Sequence, residues 1–215
     1  MVNFMNNPKE IEERSHEIIN SEVGDLGLGF GERKIVTRII HATGDLDYAN
    51  LVVIHPGLVQ AATSALKQGA NIITDVEMVR NGISSKLLAR GGGQVLCAIR
   101  DKEVADKAKA TGETRAMIAM DHLASSMSGS IIAIGNAPTA LFRLLQLIES
   151  GKVNPAAIIG TPVGFVGAAE SKTLLEKSNV PYVTVCGPKG GSSVAVAAVN
   201  ALLHLVWDKE DISRG

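Results

Sequence analysis

The chain has 215 residues, 46% of them hydrophobic, a size and apolar content that suit one compact α/β unit with a substantial core. Its 21 basic residues nearly balance 22 acidic ones, for a formal net charge of −1, which excludes the global positive field that holds nucleic acid nonspecifically. Aromatic residues make up only 3%, too few to furnish stacking platforms for single strands or sugars.

The chain opens on a charged stretch, MVNFMNNPKEIEERSHEII, that lacks the apolar core of a secretory signal. No segment approaches the ~18 uninterrupted apolar residues of a membrane helix, so a cytoplasmic protein without a membrane partner is expected. Residues 8–42 read as two helices, PKEIEERSHEIINSEV and GERKIVTRIIHA, expected to form a cap or an interface layer. Where the second begins, GLGFGE (27–32) carries Gly27, Gly29 and Gly31, but it follows no strand and lacks the G-x-G-x-x-G spacing of a dinucleotide loop. A phosphate-cradling G-x-x-x-x-G-K-[ST] motif is also missing.

From residue 50 onward, short β-branched runs alternate with longer amphipathic segments. The strands are NLVVIHP, ANIITD, GQVLCAI, SIIAIGN, AAIIGTP and PYVTVCG. Between them lie helices GLVQAATSALKQG, KEVADKAKATG, APTALFRLLQLIESG and AAESKTLLEKSN, and SSVAVAAVNALLHLV follows the last strand. This alternation predicts a three-layer α/β/α fold with a mostly parallel sheet, plus the N-terminal helices. No repeat, linker or low-complexity tract interrupts it, so a single domain over residues 1–215 is expected.

In such sheets ligands bind at the carboxyl ends of the strands. There the sequence reads IGNAPT (134–139), GTPVGFVGAAES (160–171) and CGPKGGSS (186–193), three loops of small residues that open helices and are expected to offer free backbone N–H groups to anions. Cys97 and Cys186 sit in apolar runs with no CxxC spacing and are expected to be buried free thiols. His16, His55 and His122 have no partner at ligand spacing, and His204 lies in ALLHLVW, so no metal site is expected. His41 differs, because Arg38 precedes it by three residues and shares its helix face. An imidazole can give or take a proton near neutral pH, and a guanidinium beside it can hold a carboxylate of the reacting molecule. Spacing alone leaves open an ordinary surface or core histidine, just as Arg14 and Ser15 leave open an ordinary helix face.

Taken together, ERSHEII (13–19), RIIHATGD (38–45), GANIITDVEMVRNGI (69–83), GETR (112–115), IGNAPTALF (134–142), PVGFVGAAESK (162–172) and GGS (190–192) resemble the precorrin-8X methylmutase family, the corrin-ring isomerases of cobalamin biosynthesis. The resemblance implies a homodimeric α/β enzyme without added cofactor that moves a methyl group from C-11 to C-12 of the contracted macrocycle. Its product would be hydrogenobyrinate, or cobyrinate when cobalt is already inserted. It also implies that His41 donates and recovers the proton and that Ser15 and Arg38 contact the tetrapyrrole. Arg14, Arg115, Asn136, Thr139, Gly190, Gly191 and Ser192, in or beside the same motifs, are expected to bind substrate as well. One segment departs from the family. CGPK (186–189) stands where an arginine-containing stretch is usual, and Lys189 is expected to take over its charge. Two other readings are a non-catalytic corrinoid carrier, which would need the anion loops but not His41 beside Arg38, and a nucleotide-binding enzyme, which the missing glycine fingerprint opposes. A macrocycle is wide for one domain of this size, so the N-terminal helices and SSVAVAAVNALLHLVW are expected to form a dimer surface with sites shared between chains.

Overall fold

The computed structural model describes residues 5–208. Residues 1–4 of the charged N-terminal stretch and residues 209–215 of the expected domain lie outside that range.

Two helices, α1 (Pro8–Val23) and α2 (Phe30–Thr43), precede the sheet, and a single turn, α3 (Tyr48–Leu51), leads into β1 (Val52–Ile54). Then follow α4 (Leu58–Lys67), β2 (Ile72–Thr74), the short α5 (Glu77–Gly82) and α6 (Ser85–Leu88), β3 (Val95–Leu96), α7 (Lys102–Thr111) and α8 (Arg115–Leu123). The second half alternates strictly: β4 (Ile131–Ile134), α9 (Pro138–Glu149), β5 (Ala157–Gly160), α10 (Ala168–Glu176), β6 (Tyr182–Val185) and α11 (Ser192–Trp207). All six expected strands are present. Helices α3, α5, α6 and α8 lie in stretches not assigned to helix, and α8 carries Arg115 at its first position.

The strand order is β1-β6-β5-β4-β2-β3, parallel throughout except that β1 runs antiparallel to β6. Side chains alternate between two cores, as strand geometry dictates. Ile72, Ile131, Ala133, Ile159 and Val183 face α2, α4 and α11, whereas Ile73, Ile132, Ile134, Ile158 and Tyr182 face α8, α9 and α10. Strands buried on both faces have no polar side to show, hence their continuous apolar runs.

Helix α2 is no peripheral cap. Ile35, Val36, Ile39 and Ile40 are fully buried in the first core, and each such burial contributes about 1.5–3 kcal/mol. Only α1 is an outer layer, with Ile19 buried while Ile11 and Ile18 remain exposed. The last helix spends most of its apolar surface inside the chain. Nine residues of α11, from Val194 to Val206, are buried within the chain, because its largely apolar composition suits a helix packed on several sides. Among the described residues no helix is long and apolar enough to cross a membrane.

The cysteines are free, but Cys186 is exposed and Cys97 only half-buried. Strand β6 ends at Val185, which puts Cys186 in the rim loop, and Cys97 follows the two-residue edge strand β3. Each strand thus ends at the residue before its thiol. Partial burial still pushes the Cys97 thiol up.

Candidate active site

Helix α2 starts where the Glu32 carboxylate accepts the Gly29 N–H at 3.0 Å. It stops at Gly44, whose φ of 65° allows its N–H to reach the Ile40 carbonyl at 2.8 Å. With the apolar face turned inward, Lys34, Arg38 and His41 share the outer flank. Helix α1 lies across that flank. Arg38 Nη1 meets Glu12 Oε1 at 3.4 Å, and the His16 and His41 rings are 5.5 Å apart between centroids. Burial, and then repulsion from His41, hold the His16 imidazole below its ordinary value, with Glu12 opposing. Beside them opens a cleft of about 300 Å³, with Glu12, Arg38 and His41 on one side and Ser193, Val196 and Asn200 of α11 on the other. The Asn200 side chain is fixed by the junction of α5 and α6, donating to the Gly82 carbonyl and accepting from the Ser84 N–H.

The carboxyl rim of the sheet departs from expectation in an instructive way. Asp75, at the end of β2, is completely buried, and its carboxylate accepts the N–H groups of Gly135, Asn136 and Ala137 at 3.1, 2.8 and 2.7 Å. The anion place in IGNAPT is therefore filled from within. Strand β2 lies beside β4 in register, Thr74 opposite Ala133, so the next residue on each strand falls at the mouth of the same loop. Burial raises the Asp75 pKa, and the three amide donors work against that rise. The loop also packs tightly on α11, since a Cβ on Gly135 would stand 2.8 Å from Ser192 Cα and 2.9 Å from a Val79 methyl. That contact sets Gly135, the residue before Asn136, against Ser192. Farther along the rim, Thr139 and Thr114 share a hydroxyl hydrogen bond of 2.9 Å, with the exposed Arg115 adjacent. Between the α9 and α11 openings rises the 160–167 loop, with Phe165 97% and Val166 89% exposed.

The last loop is bound back to the turn behind His41. Lys189 Nζ donates to Asp45 at 2.6 Å and Asp47 at 2.8 Å and lies over the Tyr48 ring, and Tyr48 Oη donates to the Gly190 carbonyl at 3.4 Å. The hydrogen bond from Lys189 holds the Asp45 carboxyl below the usual carboxylate range, and Asp45 in turn raises Lys189. This corrects the role expected of Lys189. Its charge is already engaged by two carboxylates, so it does not stand in for a free arginine. Gly191 N–H is spent likewise, on the Thr161 carbonyl at 2.8 Å.

Of the residues singled out by sequence, Arg38 and His41 line one cleft, and Ser192 with Asn136 marks the rim next to it. Ser15 donates back to the Ile11 carbonyl at 2.7 Å, and Arg14 pairs with Glu17 at 2.9 Å on the exposed side of α1. Arg115 and Thr139 belong to the opposite helical layer, and the His41 cleft does not include them. Asp75 and Lys172 lie in GANIITDVEMVRNGI and PVGFVGAAESK, where no local signal marks either out. Glu12 and His16 could have been found from their i, i+4 spacing on α1.

A model of the precorrin-8X methylmutase family matches residues 10–205. The chain belongs to this family. Among curated relatives, the cobalt-precorrin-8 methylmutase of Priestia megaterium is 42% identical, covering 91% of this chain and 87% of that protein. The precorrin-8X methylmutase of Pseudomonas aeruginosa is 40% identical over 94% of this chain and 98% of its own length. The solved precorrin-8X methylmutase of Thermus thermophilus superposes with a TM-score of 0.86 at 38% identity, covering 92% of this chain and 96% of that one. Family membership favours the isomerase over a corrinoid carrier or a nucleotide enzyme.

Proposed function

We propose that the chain catalyses the C-11 to C-12 methyl shift of precorrin-8X or its cobalt complex, with His41 as the proton donor and acceptor. The observation that carries this reading is the cleft in which His41 and Arg38 stand side by side on the flank of α2, open beside the first turns of α11. A 1,5-sigmatropic shift needs no oxidant and no covalent nucleophile. A proton delivered to the conjugated system near ring C makes it electron-poor and eases migration, and the same imidazole then recovers the proton. The extended conjugation of the corrin favours the product side. Arg38 would hold a peripheral carboxylate by a charge-assisted bond, exchanging its long contact with Glu12 for the ligand. Incubation with precorrin-8X, followed by visible spectroscopy, tests the assignment. Growth of a corrin spectrum supports it, and tight binding without conversion rejects it. Parallel turnover of the metal-free and cobalt-bound macrocycles identifies the preferred form.

The working unit in this reading is a cytoplasmic homodimer. A cleft of about 300 Å³ stands at the small end of ligand sites, ~300–1,000 Å³, and a corrin with its acid arms needs a further wall. The exposed Ile11 and Ile18 of α1 and the Phe165–Val166 crest are apolar surface that a second copy would cover. An isologous pairing would bring Arg115 and Thr139 of one chain, which lie away from its own His41 cleft, toward His41 of the other. Mixing inactive His41→Ala chains with inactive Arg115→Ala chains should restore activity in heterodimers. A fully active monomer at assay concentration would exclude shared sites.

A further inference from the structure

Lys172 lies on α10, outside the cleft that Arg38 and His41 line, and its side chain is almost fully buried at 1% exposure. Its ammonium donates to the Lys189 carbonyl at 2.6 Å, and no carboxylate pairs with it among the described residues. A buried ammonium without a counter-ion is costly, and an uncharged stem of similar length would pack there more cheaply. What the charge achieves is visible in the loop it grips. Residues 189–191 are held at three further points: the Gly191 N–H on Thr161, the Gly190 carbonyl on Tyr48, and the Lys189 ammonium on Asp45 and Asp47. Gly190 has a φ of 151°, and a Cβ there would meet the Thr161 carbonyl at 2.4 Å, so the loop has little room to settle elsewhere. Asp45 follows the Gly44 cap of α2, four residues beyond His41.

We propose that Lys172 is a positioning residue, which through the Lys189 carbonyl sets both the Gly190–Ser192 edge of the substrate site and the Asp45–Tyr48 turn behind His41. The proposal rests on the site assigned above. Lys172 touches no substrate, so its effect should appear in binding more than in chemistry. The group acting on it electrostatically is the Cys186 thiol at the end of β6, while Asp45 and Asp47 across the loop are engaged by Lys189. Burial brings the Lys172 ammonium down to about 8, so at alkaline pH the neutral amine would grip the carbonyl more weakly.

Steady-state turnover of precorrin-8X and titration with hydrogenobyrinate, from pH 6.5 to 9.5, test this on the full-length protein. Wild type should lose affinity as pH rises through the Lys172 transition, and Cys186→Ser should keep that limb. Lys172→Met should raise KM about tenfold or more, from the lower end of what one charge-assisted hydrogen bond contributes upward, with kcat changed by less than about threefold and a flat alkaline profile. Unchanged KM and pH dependence in Lys172→Met, with His41→Asn inactive, would overturn the positioning role and leave the site reading intact. Should His41→Asn turn over normally, both fall together. If Lys172→Met does not fold, the wild-type and Cys186→Ser profiles decide, and the absence of an alkaline limb in both overturns the proposal.

Discussion

Around His41 the working groups are side chains on the outer faces of α1 and α2, half in water and tied to one another by ion pairs such as Arg38 with Glu12. Around residues 135–137 and 189–191 the groups are backbone amides and carbonyls, held by the buried side chains of Asp75 and Lys172. The two regions meet where Gly135 presses on the first turn of α11. Their difference separates two tasks that an active site usually mixes. The first region can lose a functional group without losing its shape, whereas in the second a lost group is a lost shape. Substitutions should therefore fall into chemical effects on one side and structural effects on the other.

The largest expected effect is chemical. His41→Ala should slow methyl migration by ~10²–10⁴, the usual contribution of a general acid–base group, while binding of the corrin product and thermal stability stay near wild type. Turnover within about threefold of wild type would remove the assignment. On the structural side, Asp75→Ala leaves three amides without their acceptor and should cost about 3 kcal/mol or more in denaturant unfolding, at roughly 1 kcal/mol or more per buried donor. A stability loss below about 1 kcal/mol would mean that water replaces the carboxylate, and the contrast between regions would weaken.

Arg38→Ala should weaken product affinity by roughly 1.5–3 kcal/mol, the range for hydrogen bonds to charged groups, and Arg38→Lys should recover part of it. Unchanged affinity in titrations would confine Arg38 to its contact with Glu12. The smallest effect concerns His16. Its folded-state pKa is depressed, so the stability it contributes is present above its unfolded value and is lost as pH falls below about 6.5. Hydrogen exchange should then show α1 loosening at mildly acidic pH before the strands do, and His16→Gln should remove that pH dependence.

The six strands and seven of the longer helices were legible because burial on one or two faces writes itself into local periodicity. Helix α8 was not, since GETRAMIAMDHL mixes its signals, although Thr114 proves to be a capping residue that accepts the Met117 N–H. Of the site, the Arg38–His41 pair was legible as spacing on one helix. The fate of the anion loops was not, because it depends on which strand lies next to which. Asp75 fills the IGNAPT loop only because β2 neighbours β4, and Lys189 turns to Asp45 only because β6 lies beside β1. Such facts are made by tertiary neighbours and leave no mark on the residues within a window.

The antiparallel edge has a consequence in time. β1 pairs with β6, Val53 opposite Thr184, across most of the chain's length. During synthesis the histidine-bearing helix and the strand after it emerge early, yet neither the β6 partner nor the α11 surface exists until nearly everything else has been made. The cleft beside His41 is thus among the last features to assemble. A ribosome-bound chain stopped before residue 182 should hold the second core's β4, β5, α8 and α9 but bind no corrin, and an incomplete product would have no half-formed site to trap a reactive macrocycle.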